Sequence, residues 1–159
     1  MSNYVSGAGK TPTVSKKDKS ESSSLIADEM SIRIPPVEYE AVCYATNSGI
    51  SFGGRLSLYV QFRICGGEYD GVEVPMICTL PKGKLRQRFK LFDQWALVLG
   101  RAPRRGERFK ASIFKKKMYR ILVRDTKCVF PNRKPKPKFL QYSVVDTIIE
   151  TITGIPDAL

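Results

Sequence analysis

Glu68, Asp70 and Glu73 are the acidic cluster of the chain, and carboxylates this close in sequence could hold a metal or share a proton. Gly66, Gly67 and Gly71 interleave with them, so the group reads better as the polar residues of a tight turn. The chain has no histidine. The commonest general base and the commonest metal ligand are therefore missing, and histidine-assisted serine or cysteine catalysis is excluded. Cys43, Cys65, Cys78 and Cys128 show no CxxC spacing, which predicts buried free thiols in preference to a zinc site. Gly7-Ala8-Gly9-Lys10-Thr11 suggests a phosphate loop, but Tyr4 stands where the motif needs its first glycine and Pro12 blocks the helix that should follow. The residues thus predict a protein that is not an enzyme and needs no cofactor or metal.

Binding chemistry is better represented. Residues 81–138 carry 20 Lys plus Arg against three acids, a net charge of +17, whereas the whole 159-residue chain is +12. One block holds the entire positive field. Its self-repulsion opposes compactness, and a polyanionic partner relieves it. Nucleic acid is the first candidate for that partner and an anionic membrane surface the second. Aromatic residues lie close to cations in the middle of the chain. Tyr59 and Gln61 alternate with Leu58, Val60 and Phe62, between Arg55 and Arg63. A strand with this pattern has one dry face and one wet face, and the wet one carries a tyrosine, a glutamine and two arginines.

The elements that position these residues follow from periodicity and punctuation. Residues 1–34 are rich in Ser, Lys, Gly and Thr and read as a disordered tail. Pro35-Pro36 opens a domain that runs to about residue 130. Val37–Thr46 reads as a first strand, and Asn47–Gly54, with three glycines, as a loop bearing Phe52. Phe52 can stack on a base or fold back over the core. Arg55–Ile64 and Val72–Leu80 alternate as a strand pair around the Gly-rich turn, where Tyr69 is a weaker aromatic candidate. Leu85, Phe89, Phe92, Trp95 and Leu99 recur at helical spacing, with Gly100 placed as a C-cap and Pro103 as a stop. That helix carries Arg86, Arg88 and Lys90 in its first half, against the macrodipole. Arg101–Arg108 is a basic loop. Arg108–Phe114 and Met118–Arg124 read as a hairpin tipped by Lys115, Lys116 and Lys117. Residues 131–141 form a Pro/Lys linker. In 142–159, Val144, Val145, Ile148, Ile149 and Ile152 predict a short amphipathic helix, although their β-branching also permits a strand. That helix caps the domain or serves as a handle for a protein partner.

The expected class is mainly β with helices (α+β). Five strands with a helix between the third and fourth is the order of the oligonucleotide-binding (OB) barrel, closed or as an open curled sheet. The segments VEYEAVCYA, RLSLYVQFRICGGEYDGVEV and QWALVLGRAP, followed by the basic hairpin, resemble a family of small phage and mobile-element proteins found beside replication genes. The resemblance spans about residues 37–125. It implies an OB-type fold and single-stranded DNA binding in replication or recombination.

The expected site therefore joins aromatic platforms to cations. Tyr44, Phe52 and Tyr59 are the platforms. Arg55, Arg63, Arg120 and Arg124 are the sheet-face cations, and Arg104, Arg105, Lys115, Lys116 and Lys117 the loop cations. RNA is a close variant of the same reading. An interaction module for a host or replication protein, using the basic face and the C-terminal helix, is the alternative. No apolar run reaches the length of a membrane span, and the N-terminal stretch lacks the apolar centre of a secretory signal, so the expected location is the cytoplasm.

Overall fold

The computed structural model describes residues 31–51, 54–129 and 134–152. These residues form a mainly β body with one α-helix among them. Its strands are β1 (Glu38–Ser51), β2 (Arg55–Ile64) and β3 (Glu73–Thr79) before the helix α1 (Lys90–Leu99). After the helix come β4 (Met118–Asp125), the two-residue strands β5 (Cys128–Val129) and β6 (Lys134–Pro135), and β7 (Ser143–Ile152). Five strands make one antiparallel sheet in the order β3-β2-β1-β4-β7, and β5 pairs only with β6. The ladder does not close. Its edge strands β3 and β7 come within 8 Å of each other at their Cα atoms without hydrogen-bonding, and α1 packs against both.

The alternation in β2 decides which way the sheet faces. Leu58, Val60, Phe62 and Ile64 are buried, with Val74, Met76 and Cys78 of β3 beside them. Ala41 and Cys43 of β1 and Tyr119, Ile121 and Val123 of β4 complete this inner layer. The Phe62 and Tyr119 rings meet edge to face at 5.8 Å, and the Tyr119 hydroxyl donates to the Phe114 carbonyl at 2.9 Å. A second aromatic run, Trp95, Phe109 and Phe114, ties the segment after α1 to the core, with centroids 5.4 and 6.0 Å apart.

Four expectations from periodicity are corrected. The loop expected over residues 47–54 is strand as far as Ser51, because Asn47–Ser51 pair in register with Tyr59–Arg55. This hairpin extends past the core, leaving Ile50 77% exposed, so no burial pattern marked it. The helix expected from Leu85 begins only at Lys90, and Arg86 and Arg88 lie in the loop before it. The strand expected over 108–114 is a 3-10 turn at Ala111–Phe114, held by its aromatic contacts. The C-terminal helix does not exist as such: Ser143–Ile152 is β7.

The last correction has a clear cause. β7 is rich in β-branched residues, which favour strands. Opposite it, Ile121 and Val123 stand two residues apart and pair with Ile148 and Val145, which stand three apart. Register shifts at Asp146 and Ile149 supply the extra residues. Two bulges thus convert a period of two into an apparent helical spacing. The strand belongs to the sheet, so it cannot act as a free helical handle for a partner.

The folded body also reaches back before Pro35. Ile34 is buried, its N–H donates to Ser143 Oγ at 2.8 Å, and Ser143 Oγ donates to its carbonyl at 3.2 Å. Arg33 grips Asp125 through two bonds of 3.1 and 3.0 Å. Residues 1–30, the greater part of the expected tail, lie outside the described residues. No helix among the described residues is long and apolar enough to cross a membrane.

Candidate nucleic-acid interface

Register places the outer face of the sheet. Tyr59 stands opposite Asn47 of β1 and Ile77 of β3, Gln61 opposite Ala45 and Pro75, and Arg63 opposite Val42 and Glu73. Tyr59 and Gln61 are half-buried, and both point away from the core layer. The Tyr59 ring lies beside Gly49, where a Cβ would meet its Cε2 at 3.8 Å, an ordinary van der Waals contact.

β1 changes partners at Tyr44. Glu38–Val42 pair with β4, Ala41 and Val42 pair with β2 as well, and beyond the bulge between Cys43 and Ala45 the strand continues with β2 alone. The basic turn fills the space where β4 departs. Lys116, with φ of 60°, donates its N–H to the Cys43 carbonyl at 3.1 Å, and Cys43 N–H reaches the Lys117 carbonyl at 3.4 Å. The result is a hollow of about 520 Å³, lined by Tyr44, Arg63, Cys65, Asp70, Lys115 and Lys116.

Two of its lining residues, Tyr44 and Arg63, are joined through Glu73 of β3. The Tyr44 hydroxyl donates to Glu73 Oε2 at 2.7 Å, Arg63 Nη2 donates to Glu73 Oε1 at 3.0 Å, and the Arg63 guanidinium lies 4.5 Å from the Tyr44 ring centroid. The hydrogen bond from Tyr44, then that from Arg63, pulls the Glu73 carboxyl below its ordinary range. Desolvation first, then the bond to Glu73, pushes the Tyr44 phenol up to about 12. Tyr44 therefore remains a proton donor at neutral pH.

The structure gathers some of the expected residues and separates others. Tyr44, Arg63, Lys115 and Lys116 surround one hollow, and Tyr59 lies on the same face as Arg63, about 13 Å along β2 at 3.3 Å per residue. Lys117 is exposed in the same turn. Arg120 and Arg124 are engaged elsewhere: Arg120 pairs with Glu150 at 2.5 Å and Arg124 with Asp146 at 3.0 Å, both acids coming from β7. Arg104 and Arg105 are exposed in the loop after α1, where Glu107 is taken by Arg101 at 2.6 Å. Arg55 stands at the start of β2, opposite Ser51. Phe52 lies outside the described residues. Tyr69 packs edge to face on Tyr39 at 6.0 Å and sits at the rim of the core.

Two basic features lay outside the expected site. Phe139 is 76% exposed on a 3-10 turn that also contains Lys138, with Lys134 and Lys136 just before it. The exposed Lys82, Lys84, Arg86 and Arg88 ring a hollow of about 250 Å³ before α1. The available sequence signal was the strict alternation of bases over residues 82–88, which the helical reading of that stretch obscured.

No protein-family model matches the chain, and no curated protein matches it.

Proposed function

We propose that the chain is an OB-type protein that binds single-stranded DNA, largely without sequence preference, as an accessory to replication or recombination of a phage or mobile element. Three features support the fold part of this reading. β1 is shared by the ladders to β2 and β4, the edges β3 and β7 draw together, and α1 lies across both edges after following β3 in the chain. The observation that carries the binding part is the outer row of β2. It runs from Tyr59 through Gln61 to Arg63 and ends in the hollow whose other wall bears Lys115 and Lys116. Outward-facing, half-buried aromatic and amide groups followed by cations suit unpaired bases and their phosphates.

Sequence independence follows from the groups themselves. A tyrosine ring stacks on any base, and lysines meet phosphates that are the same in every nucleotide. The test is fluorescence anisotropy of the full chain with oligothymidylate, a matched duplex and an RNA oligomer, across a salt series. If about five cations meet phosphates, log K against log salt slopes near −3.5, at about −0.7 per single-strand phosphate. Preference for the RNA oligomer reassigns the ligand. A slope near zero, or no binding to any oligomer, removes the reading.

A further inference from the structure

We infer that the loop Pro81–Phe89 is a second phosphodiester site, which holds the same single strand after it leaves the face of β2. The inference rests on the nucleic-acid reading above and extends it to residues outside the site expected from the sequence. The loop is basic at every second position: Lys82, Lys84, Arg86 and Arg88 are all exposed. Among the described residues none of the four lies within 4.0 Å of a carboxylate. The contrast with Arg63, Arg120 and Arg124 is direct, since each of those is already paired with an acid.

The loop is also pinned, so the four charges are presented together. Leu80 N–H donates to the Leu56 carbonyl at 2.9 Å, Leu85 packs on the core, and Phe89 N–H closes a turn on the Arg86 carbonyl at 3.0 Å. Arg88 lies over the Phe89 ring at 5.3 Å. Between these anchors is the hollow of about 250 Å³, lined by Lys82, Lys84, Arg86 and Arg88. Four cations around a concavity, with no acid among the described residues to neutralise them, favour an anion carrying several phosphates over a single carboxylate.

The position of the loop sets the length of the ligand. It starts beside Leu56 at one end of β2, and the Lys115–Lys116 hollow lies at the other end, beside Arg63. Leu56 to Arg63 spans about 23 Å at 3.3 Å per residue. A stacked strand covers that distance in about seven nucleotides at 3.4 Å each, and an extended one in fewer. Short oligomers fill only the sheet face, whereas longer ones reach the loop.

The experiment compares the wild-type chain with the Lys82→Gln/Lys84→Gln/Arg86→Gln/Arg88→Gln variant on oligothymidylates of about four and about fifteen nucleotides, lengths within the range a single OB fold covers. The expected result is near-equal affinity for the short oligomer. For the long one, the variant loses about tenfold or more in affinity and its salt slope flattens by about 2 to 3, at about 0.7 per lost contact. An Arg86→Lys/Arg88→Lys chain, which keeps the charge, retains long-oligomer binding. Equal affinity of wild type and variant for the long oligomer overturns the inference, as does an equal loss at both lengths. Neither result touches the sheet-face reading, which fails if the wild-type chain binds no oligomer or binds with a salt slope near zero.

Discussion

The Tyr44 hydroxyl, on β1, reaches across β2 to Glu73 on β3 at 2.7 Å, with Arg63 of the intervening strand bonded to the same carboxylate. Glu73 therefore competes with any phosphate for Arg63. Replacing it tests that competition. Glu73→Gln keeps an acceptor for Tyr44 but removes the charge. The variant is expected to bind oligothymidylate more tightly, with a salt slope steeper by about 0.7, the value of one further cation on a single strand. An unchanged slope in a salt titration would show that Arg63 takes no part in binding.

Tyr59 stands over Gly49 on the outer face, with neither charge nor core role to explain it. If Tyr59 is the proposed stacking platform, it should contribute about 1–3 kcal/mol per base. Tyr59→Ala is expected to weaken oligonucleotide binding by that amount, and Tyr59→Phe to preserve it, because the ring and not the hydroxyl does the stacking. Anisotropy titrations of the two variants check this. Wild-type affinity in the alanine variant would remove the platform.

Gln94 joins the helix to the far edge of the sheet. It is buried, donates to Thr147 Oγ1 at 2.8 Å and accepts from the Ile148 N–H at 2.7 Å. The acceptor bond satisfies a buried β7 donor next to the Ile149 bulge, where the ladder to β4 is irregular. Gln94→Leu fills similar space but orphans that N–H, at a cost of about 1–3 kcal/mol. Urea unfolding should show a lower midpoint at unchanged slope. No change in midpoint would mean that water replaces the side chain.

The chain should lose stability towards both extremes of pH, for different groups. The Tyr44 phenol is raised to about 12 in the folded chain, so its contribution is full below the ordinary tyrosine value near 10 and is lost as pH rises through about 12. On the acid side, Asp125 is held low by Arg33, and Glu107 is held at about 2 by Arg101. Both contributions are full above the ordinary carboxylate range; that of Glu107 disappears as pH falls towards about 2, and that of Asp125 as pH falls below its ordinary range. Thermal melts across pH check both limbs, and Tyr44→Phe should remove the alkaline limb that this residue supplies.

The central hairpin was legible because nothing interrupts it. From Leu58 to Ile64 every second residue is apolar and buried, and the Gly66-Gly67 turn takes positive φ at both residues. The separation of Tyr59, Gln61 and Arg63 from the core followed from that alternation alone. β7 was misread because its bulges at Asp146 and Ile149 break the period that reveals a strand. The same misreading hid the partners of Arg120 and Arg124, since Glu150 and Asp146 were assigned to a helix outside the sheet.

The linear chain by itself determined where the charge lies and which face of β2 is wet, because both depend only on residue type and on the two-residue repeat of an extended backbone. Which cations remain available was decided by the tertiary structure. β7 brings acids to Arg120 and Arg124, Glu73 reaches Arg63 across one ladder, and the loop before α1 meets no acid among the described residues. The physical reason is that ion pairing acts over a few ångströms between residues far apart in sequence, so a run of like charges reveals its field but not its neutralisation.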